Sequence, residues 1–595
     1  IWERKESVSS PAFFSNGGKI AAEIFEHLVI LDATTGQELS RHRLPQGRFP
    51  THLLFNDRGN QATYTHNARA YIYDLQTNRE DELIVPGEEI RVTWTAFFGD
   101  DFVAVAGREG VVRVFDLRNR KLVANLVQYA DSEDWAITTP DGRFDATPGA
   151  MAKMYYRVGQ QRVSLEQLFT GFYSPGLAGE IFGRQPGGTL PPPINIGQLK
   201  PAPSVEIDFS EGGTRGLIVE DDEPEQRKIT TKNATAVITL KGNAPNDQVT
   251  ELRLYQNGKL IGDGIRNLIV EDDPTPPING RREYRIRLLP GDNDFKAIAI
   301  NRQQTESKPS RLIVTYTQGN LPPGPAIPSP GSSVAITGDA EVTLHLVTIG
   351  INEYQNNSYN LNYATADASG VEASMRRSMS SLVGEVSDLP IRNSQATREE
   401  IIKALQTIVQ RADANDIFVF YYAGHGVVSG KDKRNFYFVP HDVTQIYGTD
   451  GSLAQRGITA AEMQRISTAI PAQRQLFILD ACQSAGAVES LQLRGTAENK
   501  AIAQLARTTG THWLTASSSD QFASEFDELG HGAFTYVLLQ ALSGEASGTD
   551  RQLTVNELKS YLDIVVPQLT QKHTGQAQYP ASYGYGKDFL IGRNR

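Results

Sequence analysis

The chain has 595 residues, enough for three to five domains at roughly 100–200 residues each. Hydrophobic residues make up 39% and charged residues 21%, a globular composition rather than a disordered one. The formal net charge of -11 argues against a general nucleic-acid binder, which carries a basic face. No apolar run reaches 18 residues, so no membrane span is expected. The single cysteine, Cys482, excludes an internal disulfide and a CxxC metal site. The chain opens on Ile1 rather than Met, which leaves a signal peptide upstream open.

Residues 1–150 contain an internal repeat. Leu28 to Asp32, Tyr71 to Asp74 and Val112 to Asp116 are apolar strands ending in Asp, and the aspartates recur at 42-residue intervals. Turn-forming residues recur with them, and a fourth set follows at Pro140-Asp141-Gly142. A period of about 40–45 residues is that of four-stranded WD-type propeller blades. The expectation is a β-propeller-like unit of three blades and a partial fourth, an incomplete ring by the usual count of about four to eight.

Residues 151–200 read as a connector. A helical pattern covers 163–183, with Leu165, Leu168, Phe169 and Phe172 at helical spacing, and Pro191-Pro192-Pro193 marks a linker. From 201 to 317 the pattern changes to short alternating strands. Phe295, Ala297 and Ala299 fall on one face, and Asn257-Gly258 is a hairpin turn. An Ig-like β-sandwich is the expectation. Ile-Val-Glu-Asp-Asp occurs at 218–222 and again at 269–273, and reads as solvated loops. Five prolines between Pro322 and Pro330 make 318–340 a semi-rigid linker.

Residues 341–595 read as an α/β domain. Apolar runs at 344–351, 417–422 and 475–480 lack alternation and predict buried parallel strands. Helical patterns at 365–380, 398–412 and 459–468 lie between them, which implies a mostly parallel sheet. Ligand chemistry in such sheets sits at the carboxyl ends of the strands.

Two strand ends carry that chemistry. Ile417 to Tyr422 runs into Ala423-Gly424-His425-Gly426, and Gln475 to Asp480 runs into Ala481-Cys482-Gln483-Ser484. The separation of 57 positions between His425 and Cys482 accommodates one crossover. A thiol near pKa 8.5 is a weak nucleophile at neutral pH until a base activates it. An imidazole does that, and protonates the leaving amine. Glycines beside the histidine let a substrate backbone approach. The backbone N–H groups of Gly426 and Cys482 are placed to hold a developing oxyanion. His345 and His512 read as structural.

Tyr421-Tyr422-Ala423-Gly424-His425-Gly426 and Leu479-Asp480-Ala481-Cys482-Gln483-Ser484-Ala485-Gly486 resemble the His and Cys motifs of the caspase-like cysteine proteases. Supporting segments are Val347 to Asn352, Leu361 to Ala368, Leu514 to Gln521 and Gly530 to Tyr536. The resemblance covers about 341–593 and is nearest to metacaspases and bacterial caspase-family proteins with upstream WD repeats. It implies a cytoplasmic, bacterial cysteine endopeptidase with His425 and Cys482 as its dyad.

The resemblance also bears on specificity. Animal caspases hold a substrate Asp, using a Gln two positions before the cysteine, but this chain has Asp480 there. Metacaspases use Asp at that position for a basic side chain. Asp367 matches a second acidic pocket position, with an N-cap as the plain alternative, and Asp520 is a third candidate. Carboxylates of this kind favour Arg over Lys through bidentate bonds. Self-cleavage after Arg494 or Lys500 follows as an expectation, with Lys431, Lys433 and Arg434 in a second polar loop.

No cofactor or metal is expected. Some metacaspases need calcium, but the sequence has no EF-hand loop, so calcium stays open. The expected partners are protein or peptide substrates, plus a regulatory protein on the propeller or Ig-like unit. Neither nucleic acid nor membrane is among them. A second reading is a catalytically silent or partner-activated caspase-like scaffold for protein interaction.

Overall fold

The computed structural model describes residues 9–14, 17–45, 47, 50–85, 90–182, 195–210, 227–262, 280–317, 339–428, 436–446, 451–481, 495–516, 525–526 and 530–593. The two Ile-Val-Glu-Asp-Asp segments, Pro191 to Pro193 and residues 318–338 of the second linker lie outside the described residues, and residues 339 and 340 already belong to the strand Asp339–Gly350.

The N-terminal region is antiparallel β. Ser9–Phe14, Lys19–Ile24, His27–Asp32 and Glu38–Arg43 form one four-stranded sheet. Thr51–Phe55, Gln61–His66, Arg69–Asp74 and Arg79–Glu82 form a second. The repeated aspartates end the third strand of each sheet. The Asp32 carboxylate accepts the amides of Thr34 and Thr35, and Asp74 accepts those of Gln76 and Thr77. Each closes a local turn, which is why Asp recurs at that position. Asp116 does the same for Arg118 in the third sheet.

The third sheet departs from the expected count. Val92–Phe98, Phe102–Gly107, Val111–Asp116 and Lys121–Gln128 are joined by Trp135–Thr138 and Phe144–Ala146, giving six strands. The turn at Pro140-Asp141-Gly142 therefore lengthens this sheet instead of starting a fourth. The connector also differs. Gln161–Ser164 forms a hairpin with Tyr155–Val158, and among the described residues of the expected helical stretch only Glu166–Leu168, Phe169–Phe172 and Leu177–Phe182 are helical. Pro175 interrupts the helical run by disfavouring helical backbone at Ser174.

The central region has two sheets. Ser204–Ser210, Thr235–Asn243 and Arg281–Arg287 make the smaller one. The larger has the order Arg227–Thr231, Ser310–Tyr316, Gly291–Asn301, Val249–Gln256, Lys259–Leu260. They share one core, in which Ile238, Leu240, Leu254, Phe295, Ala297, Ala299 and Leu312 are buried. Asn257 and Gly258 both take positive φ, 54° and 93°, as a tight two-residue hairpin requires.

The C-terminal sheet has the order Val383–Arg392, Asp339–Gly350, Ile417–Val428, Arg474–Ala481, His512–Thr515, Ala581–Gly584. The first five strands are parallel and the last is antiparallel. Alternate residues feed two cores. Val419, Tyr421, Leu476 and Ile478 enter one, while Phe418, Phe420, Phe477 and Leu479 enter the other. Burial on both faces explains the unbroken apolar runs. Ala364–Met379, Ala533–Gln540 and Val555–Thr574 cover the first face. Arg398–Arg411, Ala460–Ala469 and Gly495–Thr509 cover the second. Among the described residues, no helix is long and apolar enough to cross a membrane.

The regions pack against each other. The Asn257-Gly258 hairpin reaches the C-terminal domain, where Asn257 donates to Gln473 at 3.0 Å. Gly510 has φ +68°, and a Cβ there would lie 1.9 Å from the Gly258 carbonyl oxygen. Only glycine permits that approach. The Glu306 carboxylate, from the central region, meets Arg507 at 2.8 Å and the Thr170 hydroxyl at 2.8 Å.

Candidate active site

The strand carrying His425 is longer than the sequence implies. It runs Ile417–Val428, with Gly424, His425 and Gly426 inside it rather than in a turn. Up to Gly424 it pairs in parallel with Arg474–Ala481. From His425 onward it pairs antiparallel with Phe436–Val439, His425 opposite Val439. This change of partner lets the strand continue past the sheet edge.

The glycines serve that packing. A Cβ on Gly424 would lie 2.9 Å from the Tyr354 hydroxyl, and one on Gly426 would lie 2.7 Å from the Phe436 ring. The space that a Cβ at either glycine would need is therefore filled by aromatic side chains of the domain itself.

The register aligns the two candidate motifs. Ala423 pairs with Asp480, and Gly424 pairs with Ala481. Paired residues on neighbouring strands lie about 5 Å apart. The next residue on one strand is His425. Cys482 follows Ala481 in sequence and lies outside the described residues, as do Arg494, Asp520, Lys431, Lys433 and Arg434.

His425 is 1% exposed. Its ring lies 4.9 Å from that of Tyr354 and 6.2 Å from that of Tyr359. Its backbone N–H donates to the Tyr354 hydroxyl at 2.9 Å, and its carbonyl accepts from Tyr422 at 3.0 Å. Nε2 lies 2.7 Å from the Tyr359 carbonyl oxygen. A carbonyl only accepts, so Nε2 carries the proton and Nδ1 is the basic nitrogen of the neutral ring.

Asp367 and Asp480 come together, both buried. The Asp480 carboxylate accepts from the Thr535 hydroxyl at 2.6 Å, and Thr535 lies 2.6 Å from the Tyr421 hydroxyl. Thr535 has one proton and gives it to Asp480, so Tyr421 donates to Thr535. Asp367 stands in the first turn of Ala364–Met379 but makes no N-cap there. It reaches across to the Gly532 amide at 3.2 Å and to His531 Nδ1 at 2.8 Å. Gly532 is the N-cap of Ala533–Gln540, so this carboxylate faces the positive end of another helix.

Tyr354, Tyr359, His531 and Thr535 received no role from the sequence. The motif Gly530 to Tyr536 held two of them, since a His between glycines ahead of an apolar helix is the available signal. His345 and His512 are structural: His345 meets Asp416 at 3.0 Å, and His512 meets the Lys587 carbonyl at 3.0 Å. Lys500 lies in the helix Gly495–Thr509, so cleavage there needs the helix to unwind. Among the described residues, no group of three His, Cys, Asp or Glu is placed to hold a metal ion.

Residues 344–587 match the caspase domain family. This part of the chain is a caspase-like domain, and it follows a mostly β N-terminal region. A caspase domain points to cysteine peptidase activity. No curated protein matches the chain. Among solved structures, it is similar to protein GSU0716 from Geobacter sulfurreducens, at 15% identity and a TM-score of 0.30, covering 42% of this chain and 100% of that one. It is also similar to the structure of U3-55K, at 12% identity and a TM-score of 0.19, covering 24% of this chain and 50% of that one. Likenesses of this size carry no inference about fold or function.

Proposed function

We propose that the protein is a cysteine endopeptidase that cleaves after basic residues, Arg in preference to Lys. Cys482 is its nucleophile and His425 its base. The observation that carries the reading is the Gly424–Ala481 register, because His425 and Cys482 each follow a member of that pair in sequence. Nδ1 of His425 takes the thiol proton as the sulfur attacks the scissile carbonyl carbon. The N–H groups of Gly426 and Cys482 hold the oxyanion. The imidazolium then protonates the leaving amine, and water hydrolyses the thioester. Asp480 and Asp367 form the acidic pocket for the basic side chain, with Asp520 a further candidate.

The near-complete burial of His425 favours a partner-activated form of the second reading. In that form the dyad opens to substrate when the modules upstream engage a partner. We read the N-terminal sheets as WD-type propeller blades, supported by the 42-residue interval and its turn-closing aspartates. The two central sheets around one core support an Ig-like sandwich.

The test uses fluorogenic peptides that differ only before the scissile bond, carrying Arg, Lys, Asp or Leu. They are run with and without calcium, beside Cys482→Ala. Turnover of Arg above Lys, abolished in C482A, is the expected result. Turnover after Asp overturns the acidic pocket. No turnover under any condition, with the chain folded, moves the reading to the scaffold.

A further inference from the structure

A cavity of about 540 Å3 opens where the connector, the central region and the caspase-like domain meet. One wall is a row across three strands of the larger central sheet. Tyr255 pairs with Lys296, and Lys296 pairs with Arg311. Residues directly opposite point to the same face, and all three line the cavity.

Like charges directly opposite across a strand pair destabilise a sheet. Glu306 and Glu166 offset only part of the charge on Lys296, whose amine stays below the usual lysine range. The Lys296 amine lies over the Tyr255 ring, 4.6 Å from its centroid, and makes no hydrogen bond or ion pair among the described residues. Arg311 meets Asp294 only at 3.9 Å. Burial, and then the charges of Arg507 and Arg311, holds the Lys296 amine below the usual lysine range.

The other walls add positive charge. Arg162 lies over the ring of Tyr155, 4.8 Å from its centroid, on the connector hairpin. Among the described residues, five basic side chains line the cavity against the acids Glu166 and Glu306. Glu306 is already taken by Arg507 at 2.8 Å. A volume of this size suits a small organic molecule.

We propose that this junction binds a small organic polyanion, phosphorylated or polycarboxylate, with its charge on the Lys296–Arg311 pair and Arg162 at the rim. Charge-assisted bonds to Arg serve both anion types. The ligand relieves the repulsion in the sheet and bridges three parts of the chain, so it stabilises the folded protein. The site is independent of the peptidase reading.

Thermal unfolding of the full chain tests it, with ATP, inorganic pyrophosphate, citrate and adenosine as probes at matched ionic strength. At least one polyanion is expected to raise the melting temperature, and adenosine is not. ATP and pyrophosphate against citrate separates a phosphorylated ligand from a polycarboxylate. Lys296→Met and Arg311→Gln remove the like-charge pair. Without ligand they are expected to melt no lower than the wild type, and to bind the polyanion at least about tenfold more weakly by calorimetry. A purely structural role predicts the opposite, lower melting without ligand. Absence of any polyanion effect on the wild type, or an equal effect on both variants, overturns the site.

Discussion

Asp367 and Asp480 converge on one glycine: a Cβ on Gly532 would lie 3.3 Å from Oδ2 of the first and 3.2 Å from Oδ2 of the second. Two strand and helix ends far apart in sequence thus focus negative charge on one point. Their environments differ. Asp480 is held by a hydroxyl relay from Tyr421 through Thr535. Asp367 shares its charge with a histidine and a helix-capping amide. The unequal partners predict unequal roles. Asp480→Asn keeps the shape and loses the charge, and should lower kcat/KM for an Arg peptide by about 100-fold. Asp367→Asn should cost about tenfold, because its charge is already partly compensated. Steady-state kinetics on the Arg and Leu peptides checks both. A parallel loss on both peptides speaks for a folding defect rather than a pocket.

Tyr354 anchors the backbone of His425. Its hydroxyl is the acceptor for the buried His425 N–H at 2.9 Å. Tyr354→Phe leaves that donor unsatisfied, at a cost of about 1–3 kcal/mol. The expected outcome is a lower melting temperature and a fall in kcat with KM little changed. The stability loss should also appear in the Cys482→Ala background, where activity cannot confuse the measurement. Unchanged stability there would remove Tyr354 from the support of His425.

Features set by local chemistry were legible in the sequence. The 42-residue interval marks Asp residues that close turns by their own carboxylates. The unbroken apolar runs mark strands buried on two faces. Features set by distant partners were not. The passage of the strand through Gly424, His425 and Gly426 depends on Phe436–Val439, which takes over the pairing. Glycine reads as a break in sequence, yet here it makes room for the Tyr354 hydroxyl and the Phe436 ring. The grip of Asp367 on Gly532 spans 165 residues, so no local pattern announces it. The sixth strand of the third sheet was missed because a turn signal does not say which sheet its strands join.

Glu306 couples the central region to the helix Gly495–Thr509. It is 2% exposed and pairs with Arg507. Burial alone would raise its pKa, but the charge and hydrogen bond of Arg507, the Arg253 charge and the Thr170 hydroxyl together outweigh burial and hold the carboxyl below its usual range. A depressed carboxylate pKa stabilises the fold above the unfolded value of about 4.3, and that stabilisation is lost as pH falls through the folded value. Stability should therefore drop below about pH 4.3. Glu306→Gln should unfold more readily at pH 7, by about 3 kcal/mol, because it leaves a buried guanidinium with Glu166, 3.6 Å away, as its remaining acid. It should also lose that part of the acid dependence. Denaturant unfolding at pH 7 and at pH 4 measures both effects.

Lys259 sets the opposite end of the pH range. It is 6% exposed, sits beside the Asn257-Gly258 turn, and donates from Nζ to the Ile470 carbonyl of the caspase-like domain. Burial lowers its pKa to about 7. The unfolded chain therefore binds this proton more tightly than the folded one does. Between about pH 7 and 10.4 the difference works against folding, and stability rises with pH across that window. Below about pH 7 both states carry the proton and the slope vanishes. Lys259→Met keeps the apolar stem and removes the titration. The Ile470 carbonyl keeps a partner, since Gln475 donates to it at 3.3 Å. The variant is expected to be more stable than the wild type at pH 7 and to have a flatter profile up to pH 10. Denaturant unfolding at pH 7, 8.5 and 10 reads the slope directly. Parallel profiles for the two proteins would mean that this lysine stays protonated at the interface throughout.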